Sequence, residues 1–470
     1  MKKNANVNLI ASRLNSNGFE CYVVGGAVRD FQMGKEPHDI DLTSNASPAD
    51  IKRIFADFQV LEIGEAFGIT AVVVNGIPYE IAQYRKDIGG NGRRPDGIEI
   101  VRDIEIDLAR RDFTMNAMAW DPIKEIMRDP FAGTLDIHDK EICFVGNPID
   151  RITEDKLRIL RAFRFMSQLS FTLDKAAMKA IEKFVLNGCS FSGVSQERIT
   201  AELSKLLIGP SAFETVKLMF ELNIMQMLIP ETARLHEAHN NSWHTETMKP
   251  FGNTILAHVM FVFQAANDVV CGGQVGKFDA PLADDNEKLV LMLAALLHDI
   301  GKPFCREKKT DGSSRFLNHD TVGADLTREI LVRMRFPSEI VDRVASLVRR
   351  HMNAHDLPKM KKVHKIRRLL GSKDFHLLFN LSACDTLGTA ASNGVPNTKD
   401  MIDFDKCVTD LVKQFGQVLP EPIVTGVHLI AEGLKPGPDF KKRLDVAFNM
   451  QLDGTTDKKK LVNHAVGLTV

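Results

Sequence analysis

At 470 residues the chain is too long for one compact core, and about two to four domains are expected. A hydrophobic content of 44% and a charged content of 26% are ordinary for a soluble globular protein. The formal net charge of −1 excludes a global basic excess, so any nucleic-acid surface must be a local patch. Cys21, Cys143, Cys189, Cys271, Cys305, Cys384 and Cys407 are scattered, with no Cys-x-x-Cys, which fits reduced thiols and a cytoplasmic protein. Met1–Asn6 runs into an amphipathic stretch, so no signal peptide is expected. The longest apolar run, Leu289–Leu297, is too short to cross a bilayer and reads as a buried helix; no membrane partner is expected.

Residues 1–150 read as mixed α/β. Tyr22-Val23-Val24 predicts a short strand, followed by Gly25-Gly26-Ala27-Val28-Arg29-Asp30. Such glycines let a backbone approach a phosphate, with a helix N-terminus aimed at the anion. Asp39-Ile40-Asp41 comes next, and side chains two apart on a strand share a face. Asp39 and Asp41 can then hold one or two hard cations, and Mg²⁺ takes one or two carboxylates with phosphate oxygens and water. An Asp-x-Asp on a solvated edge, or a Gly-Gly in a turn, is ordinary. Their order and proximity point to metal-assisted phosphoryl or nucleotidyl transfer. Ser47-Pro48 predicts a capped helix start, and Asn75-Gly76 a tight turn between the strands Ala71–Val74 and Ile77–Ile81.

Farther on, Arg110 and Arg111 can fork onto phosphate oxygens, and Asp112 and Asn116 can hold ribose hydroxyls; a surface helix cap is the plainer alternative. After residue 150 the apolar period becomes helical. Over Glu154–Leu169 the spacing predicts one helix, with Leu160 and Phe163 inward and Asp155, Arg158 and Arg161 on neighbouring positions of the other side. A rigid Asp–Arg edge can read a nucleobase, and an intrahelical ion pair is the alternative. Gly209-Pro210, Pro230, Pro250-Phe251-Gly252 and Pro396 predict helix breaks, Leu235–Pro250 a linker, and 267–286 a loop.

The Gly-Gly-Ala-Val-Arg-Asp, Asp-Ile-Asp, Arg-Arg-Asp-Phe-Thr-Met-Asn-Ala-Met-Ala, Asp129-Pro-Phe-Ala-Gly-Thr-Leu-Asp-Ile137 and Glu-Asp-Lys-Leu-Arg segments occur in this order. Together they resemble the bacterial-type (class II) CCA-adding tRNA nucleotidyltransferases, whose superfamily also holds bacterial poly(A) polymerases. The resemblance covers roughly residues 20–210. It implies addition of CMP and AMP to a tRNA 3′ end from CTP and ATP without a nucleic-acid template. It also implies roles: Gly26 (with Gly25) and Arg29 at the triphosphate, and Asp39 and Asp41 on Mg²⁺. Arg110, Arg111 and Asp112 (with Asn116) would meet phosphate or ribose, Asp155 and Arg158 would form the amino-acid template, and Arg161 and Arg164 would support the nucleotide. Ser195–Ile199 resembles a helix that braces this site. A complete loop from Tyr84 to Asp96 implies full CCA addition rather than CC addition.

A second constellation follows. His258 lies on the apolar stretch Ile255–Val262; His298-Asp299 ends the buried run; His319, His351 and Asp385 come later. A lone histidine on an apolar helix is commonly a satisfied core residue, but five matches in order argue otherwise. The set resembles the HD superfamily of metal-dependent phosphohydrolases. His258, His298, Asp299 and Asp385 match its basic signature, and His319 and His351 match the additional histidines of dinuclear members. Such ligands suit Mn²⁺, Fe²⁺, Co²⁺ or Ni²⁺ without choosing among them. His244 is the competitor for His258, and Leu256-Ala257-His258-Val259 reads better as helix.

The expected architecture is therefore an α/β nucleotidyltransferase head (1–150, mixed sheet with helices) and a helical, nucleobase-selecting neck (151–235). An HD domain (253–390) and a helical tail (391–470) with possible tRNA contact would follow. In the tail, Thr425–Ile430 with Gly433 resembles a C-terminal element of the same family, although His428 stands where an acidic residue is usual. Lys441-Lys442-Arg443 and Lys458-Lys459-Lys460 are either phosphate contacts or solvated charges. Two other activities share these motifs: poly(A) polymerase, and an HD phosphodiesterase whose N-terminal domain only binds nucleotide. Oligomeric state is not legible.

Overall fold

The structure, a computed structural model, describes residues 4–37, 39–64, 68–89, 97–237, 251–274, 280–389 and 398–467. The chain divides into two compact units, Met1–Leu228 and Ile229–Val470.

The first unit opens with α1 (Ala5–Ser16), capped by the Asn4 side chain, which accepts from the Asn6 and Val7 amides. Its head strands are β1 (Cys21–Val24), β2 (Asp41–Ser44), β3 (Gln59–Gly64), β4 (Ile69–Val74), β5 (Ile77–Gln83), β6 (Arg85–Ile88), β7 (Gly97–Ile100), β8 (Ala119–Asp121) and β9 (Ile126–Arg128), and a two-residue pair, Glu141–Ile142 with Thr172–Leu173, follows. Seven of them form one mixed sheet in the order β3-β4-β5-β2-β1-β8-β9, with β2 parallel to β5 and the other pairs antiparallel. The predicted hairpin is present, turning through Asn75 (φ 52°) and Gly76 (φ 79°). The predicted cap is present as well: Ser47 accepts from the Asp50 amide at the head of the helix Pro48–Ile54. β6 and β7 form a separate ribbon, and residues 90–96 of the expected nucleotide loop lie outside the described residues.

Beyond the head comes a helical region from Pro148 to Leu228. Here one expectation fails. The segment 154–169 is not one helix: one helix ends at Glu154, Asp155 is extended (φ −148°, ψ 105°), and a new helix runs over Leu157–Leu169. Apolar spacing alone cannot register this break, because Leu157, Leu160 and Phe163 stay buried on one stripe either way. Asp155 therefore sits at a joint between helices and not on a helical face.

In the second unit, helices Ile255–Val270, Asp285–Leu297, His319–Arg333, Ser338–His355 and Phe375–Gly388 pack together. The loop expected at 267–286 is shorter than expected. The first of these helices continues to Val270 with Ala266, Val269 and Val270 buried, and the next begins at Asp285. Asn267 and Asp268 read as breakers, but tertiary burial overrides that propensity. The linker expected at 235–250 begins in a short 3-10 turn, Pro230–His236, with Leu235 buried; 238–250, including His244, lie outside the described residues, as does Pro396. The last helices, Gly426–Ala431, Asp439–Leu452 and Lys458–Val466, share an apolar cluster of their own around Leu429, Ala447 and Leu461. His428 has a structural role there: its Nδ1 accepts from the Thr425 amide at 3.0 Å, doing the work of the usual acid in a capping box. No described helix is long and apolar enough to cross a membrane.

Candidate active site and metal centre

The first unit holds a cavity of about 740 Å³. Strand β1 delivers the chain to Gly25, whose φ of 70° turns it directly into a helix over Gly26–Gln32. A side chain at Gly25 would meet Arg111 Nη1 at 3.0 Å, so the glycine leaves room for that guanidinium. Val24 pairs with Asp41, which sets the first residue of β2 beside the glycine turn. Asp41 faces the cavity, and no side chain hydrogen-bonds its carboxylate among the described residues. Although open to the cavity, it is crowded by protein, which pushes its carboxyl up; the Arg111 charge opposes the rise and Asp39 adds to it. Asp39 is exposed, precedes the strand, and is the only candidate of this site that does not line the cavity.

Gly25, Gly26, Arg29, Arg110, Arg111, Asp112, Asn116, Asp155, Arg158, Arg161 and Arg164 all line it with Asp41. A chain of hydrogen bonds orders the middle of the wall. Arg29 donates to Asn116 Oδ1 (2.9 Å), Asn116 to Asp112 Oδ1 (3.2 Å), and Arg161 Nε to Asp112 Oδ2 (2.7 Å). Burial alone would raise the Asp112 carboxyl, but the Arg161 guanidinium outweighs it and holds it below the ordinary value. The Asp129–Asp136 motif is scaffolding behind this wall. Asp129 accepts from the Gly133 and Thr134 amides (2.7 and 2.9 Å), and Asp136 accepts from the Thr114 hydroxyl. Any side chain at Gly133 would strike the Thr114 carbonyl.

Asp155 and Arg158 both reach the cavity, but they are not partners of each other. Asp155 Oδ2 accepts from Arg198 at 2.6 Å and Oδ1 from the Leu157 amide at 3.1 Å. Arg158 donates to Glu154 at 2.6 Å and to the Arg110 carbonyl at 3.3 Å. The simple intrahelical pair is thus excluded, and each group is oriented by a third residue. A carboxylate has about four lone-pair sites, so Asp155 keeps acceptors for a ligand. Sequence reasoning missed Arg198, Asp107 and Glu202 as individual residues. Arg198 lies on the Ser195–Ile199 segment expected to brace the site. Asp107, fully buried, accepts from Arg110 Nε at 3.0 Å, and Glu202 lies 2.8 Å from Arg164 Nε. Glu202 had a signal: it falls on the buried stripe of its helix beside Ile199, Leu203 and Leu206. Seven arginines against five carboxylates line the cavity. Arg111 Nε and Arg198 Nη1 are buried without an acceptor, which suits an anionic ligand.

The second unit gathers all six remaining candidates. His258, His298 and Asp385 form one group of facing donor atoms, and Asp299, His319 and His351 another. Each histidine Nδ1 lies against a backbone carbonyl: Gly388 at 3.3 Å, Ala295 at 2.9 Å, Phe316 at 2.7 Å and Val348 at 2.6 Å respectively for His258, His298, His319 and His351. A carbonyl only accepts, so Nδ1 carries the proton and Nε2 presents a lone pair. These lone pairs face one another, at 3.3 Å for His258–His298 and 3.3 Å for His319–His351. Neutral rings so oriented repel unless a cation lies between them.

Asp299 Oδ2 is 3.3 Å from His298 Nε2 and Oδ1 is 3.5 Å from His319 Nε2, so this carboxylate touches both groups. Oδ1 is buried without a well-formed hydrogen bond, while Oδ2 has the Lys302 ammonium at 2.6 Å. Burial would raise the Asp299 and Asp385 carboxyls. Lys302 with His298 for the first, and His355 with His258 for the second, outweigh burial and hold both well below the usual range. Burial pushes His351 down to about 4. The donor set of imidazoles and carboxylates, with the orphaned Asp299 Oδ1 among them, fits a pair of divalent cations. A cavity of about 390 Å³ opens above it, with Lys302, Lys309 and Arg315 on its wall.

Comparison with known proteins gives a consistent picture. Residues 21–143 match the poly A polymerase head domain, 170–235 the family described as a probable RNA and SrmB-binding site of polymerase A, and 272–386 the HD domain. His258 precedes that last stretch, and geometry alone brings it to the centre. Over 262 residues the chain is 36% identical to the CCA-adding enzyme of Geobacillus sp. (strain WCH70), a match covering 55% of this chain and 63% of that one. The chain thus spans less than two thirds of the length of this relative. Its fold is that of the Bacillus stearothermophilus CCA-adding enzyme solved with CTP (TM-score 0.62, 23% identity, 99% of this chain and 96% of that chain). The Thermotoga maritima CCA-adding enzyme solved with tRNA is also similar (TM-score 0.59, 17% identity, 98% and 94%).

Proposed function

We propose that this chain, a relative of the bacterial CCA-adding enzymes that carries an HD domain, adds CCA to tRNA 3′ ends from CTP and ATP, and that its second unit hydrolyses a phosphoester. The observation that supports the transferase most is the single cavity in which Asp41, the Gly25–Gly26 turn and an arginine wall meet Asp155 and Arg158. Mg²⁺ held by Asp41 with Asp39 would supply charge stabilisation at the reacting phosphate and lower the proton affinity of the attacking hydroxyl.

The chain's own groups do the rest. The Gly25 turn and the helix N-terminus behind it receive triphosphate oxygens on backbone amides. Arg111 and Arg29 neutralise their charge, and Asn116, tied to Asp112, meets the ribose. Asp155, fixed by Arg198, and Arg158, fixed by Glu154, offer an acceptor and a donor to the base edge, which both cytosine and adenine can satisfy. Fixing these groups beforehand lowers the ordering cost of binding.

In the second unit, divalent cations would supply a field over a bound phosphoester and ease deprotonation of water. Lys302, Lys309 and Arg315 would hold the ester's anionic oxygens.

The test is to incubate the protein with tRNA lacking its last three nucleotides, CTP, ATP and Mg²⁺, and to sequence the products. Defined CCA ends are expected. Long A tails would instead identify a poly(A) polymerase, and no extension would leave only the hydrolase.

A further inference from the structure

We infer that His355 is a positioning residue for one of the two cations of the second unit: it fixes Asp385 so that a single carboxylate oxygen faces the His258–His298 group. This inference rests on the two-cation reading of that centre and goes beyond its ligand set.

The two oxygens of Asp385 have different surroundings. Oδ1 lies 3.0 Å from His258 Nε2 and 3.8 Å from His298 Nε2. Oδ2 points the other way and accepts from His355 Nε2 at 2.7 Å. A carboxylate cannot donate, so this proton resides on His355. The polarity is opposite to that of the four ligand histidines, whose Nε2 atoms turn lone pairs inward. His355 is therefore not a fifth imidazole ligand in this arrangement but a donor to a ligand.

Its position follows from the helix Ser338–His355. His355 is four residues after His351, on the same face and one turn further along. It ends the helix beside the cavity above the centre, and its ring lies 6.3 Å from that of Phe404, tilted at 36°. The Asp299 carboxylate has an analogous cationic neighbour, Lys302 Nζ at 2.6 Å. Each ligand carboxylate thus has its own outer partner, and only Asp385 has a histidine. Without His355, Asp385 could rotate about its terminal torsion and present either oxygen, or both, to the cation. Loss of such an outer partner typically weakens metal affinity about 10–100-fold.

The test uses the full chain and Mn²⁺ alone, after chelation and dialysis, with Asp41→Ala present in every arm so that the cation site proposed in the first unit does not contribute; the unaltered protein is the one unaltered at His355. Calorimetric titration and the Mn²⁺ electron paramagnetic resonance signal are read for the unaltered protein, His355→Ala, His355→Gln and His355→Asn. The unaltered protein should bind two ions and give an exchange-coupled spectrum. His355→Ala should weaken one site about 10–100-fold and leave the other, so that one equivalent gives an isolated six-line signal. Gln, whose amide nitrogen reaches the place of Nε2, should restore the second site to within a few-fold; Asn, too short, should not. Two sites of unaltered affinity in His355→Ala overturn the inference, as does equal weakening of both sites that Gln fails to reverse. If the Ala variant does not fold, the Gln–Asn contrast decides in the same way. No Mn²⁺ binding by the unaltered protein would instead overturn the two-cation reading itself.

Discussion

The two sites of this chain manage charge in opposite ways. In the first unit, carboxylates and guanidiniums neutralise one another before any ligand arrives: Asp112 with Arg161, Asp155 with Arg198, Arg158 with Glu154. Such a wall can exchange partners with an arriving polyanion at modest cost, because its members line one cavity and stay close to each other. In the second unit, buried lone pairs converge with no proton to share, and the carboxylate between them has one oxygen without a donor. That arrangement is costly when empty and becomes favourable only around resident cations. The first arrangement suits a substrate that comes and goes, the second an ion that stays.

The sharpest consequence is functional independence. Asp41→Ala should abolish nucleotide addition, a loss of about 10²–10⁴-fold or more for several kcal/mol of charge stabilisation, and leave phosphoester hydrolysis intact. His298→Ala should do the reverse, with both activities measured on the same preparations; a folded variant lacking both would merge the sites that we separate.

Next comes stability. Saturating divalent ion at about a hundred times its dissociation constant should stabilise the second unit by about 2.7 kcal/mol. EDTA should remove this increment in calorimetric scans, and His319→Ala, which disables one of the two ligand groups, should reduce the EDTA response without abolishing it. A comparable EDTA effect on the unfolding of the first unit would blur the contrast between exchangeable and resident charge.

Acid should act on the arginine wall. The folded-state value of Asp112 is depressed, so its pairing with Arg161 stabilises above the ordinary carboxylate value of 3.8 and is lost as pH falls through the lower folded value. Arg161→Ala should cost about 1.5–3 kcal/mol near neutrality and progressively less under acid. Urea midpoints from roughly pH 7 down to pH 2 measure this convergence, and a constant difference would sink it. Smallest of all, Ser47→Ala removes a helix cap whose residues line neither cavity. It should cost about 1 kcal/mol in urea unfolding and leave both activities unaltered.

Much of the candidate chemistry was legible because it is local. The glycine pair ahead of the Asp39-Ile40-Asp41 segment, the Arg110–Asn116 run and the histidines of the second unit are carried by short motifs, and twelve of the thirteen head and neck candidates line one cavity. Asp39 is the exception because strand β2 begins only at Asp41, so the period-two argument does not reach it. The joint at Asp155 escaped because the apolar positions that set the helical period, Leu157, Leu160 and Phe163, all lie beyond it within one helix. Arg198 and Glu202 as partners of the wall, and Lys302 and His355 as partners of the ligand acids, went unnamed. Of these, Glu202 on an apolar stripe and His355 four residues after His351 carried a usable signal.

By itself the order of residues determined which groups could act: alternation, helical period and capping chemistry are properties of neighbours along the chain. It also determined the break between a sheet-bearing head and a mostly helical remainder. Only the folded structure decided who holds whom. Arg198 reaches Asp155 across 43 positions, and His258 meets His298 across 40. Such pairings depend on how whole helices stack, and packing of buried faces, not local propensity, sets that.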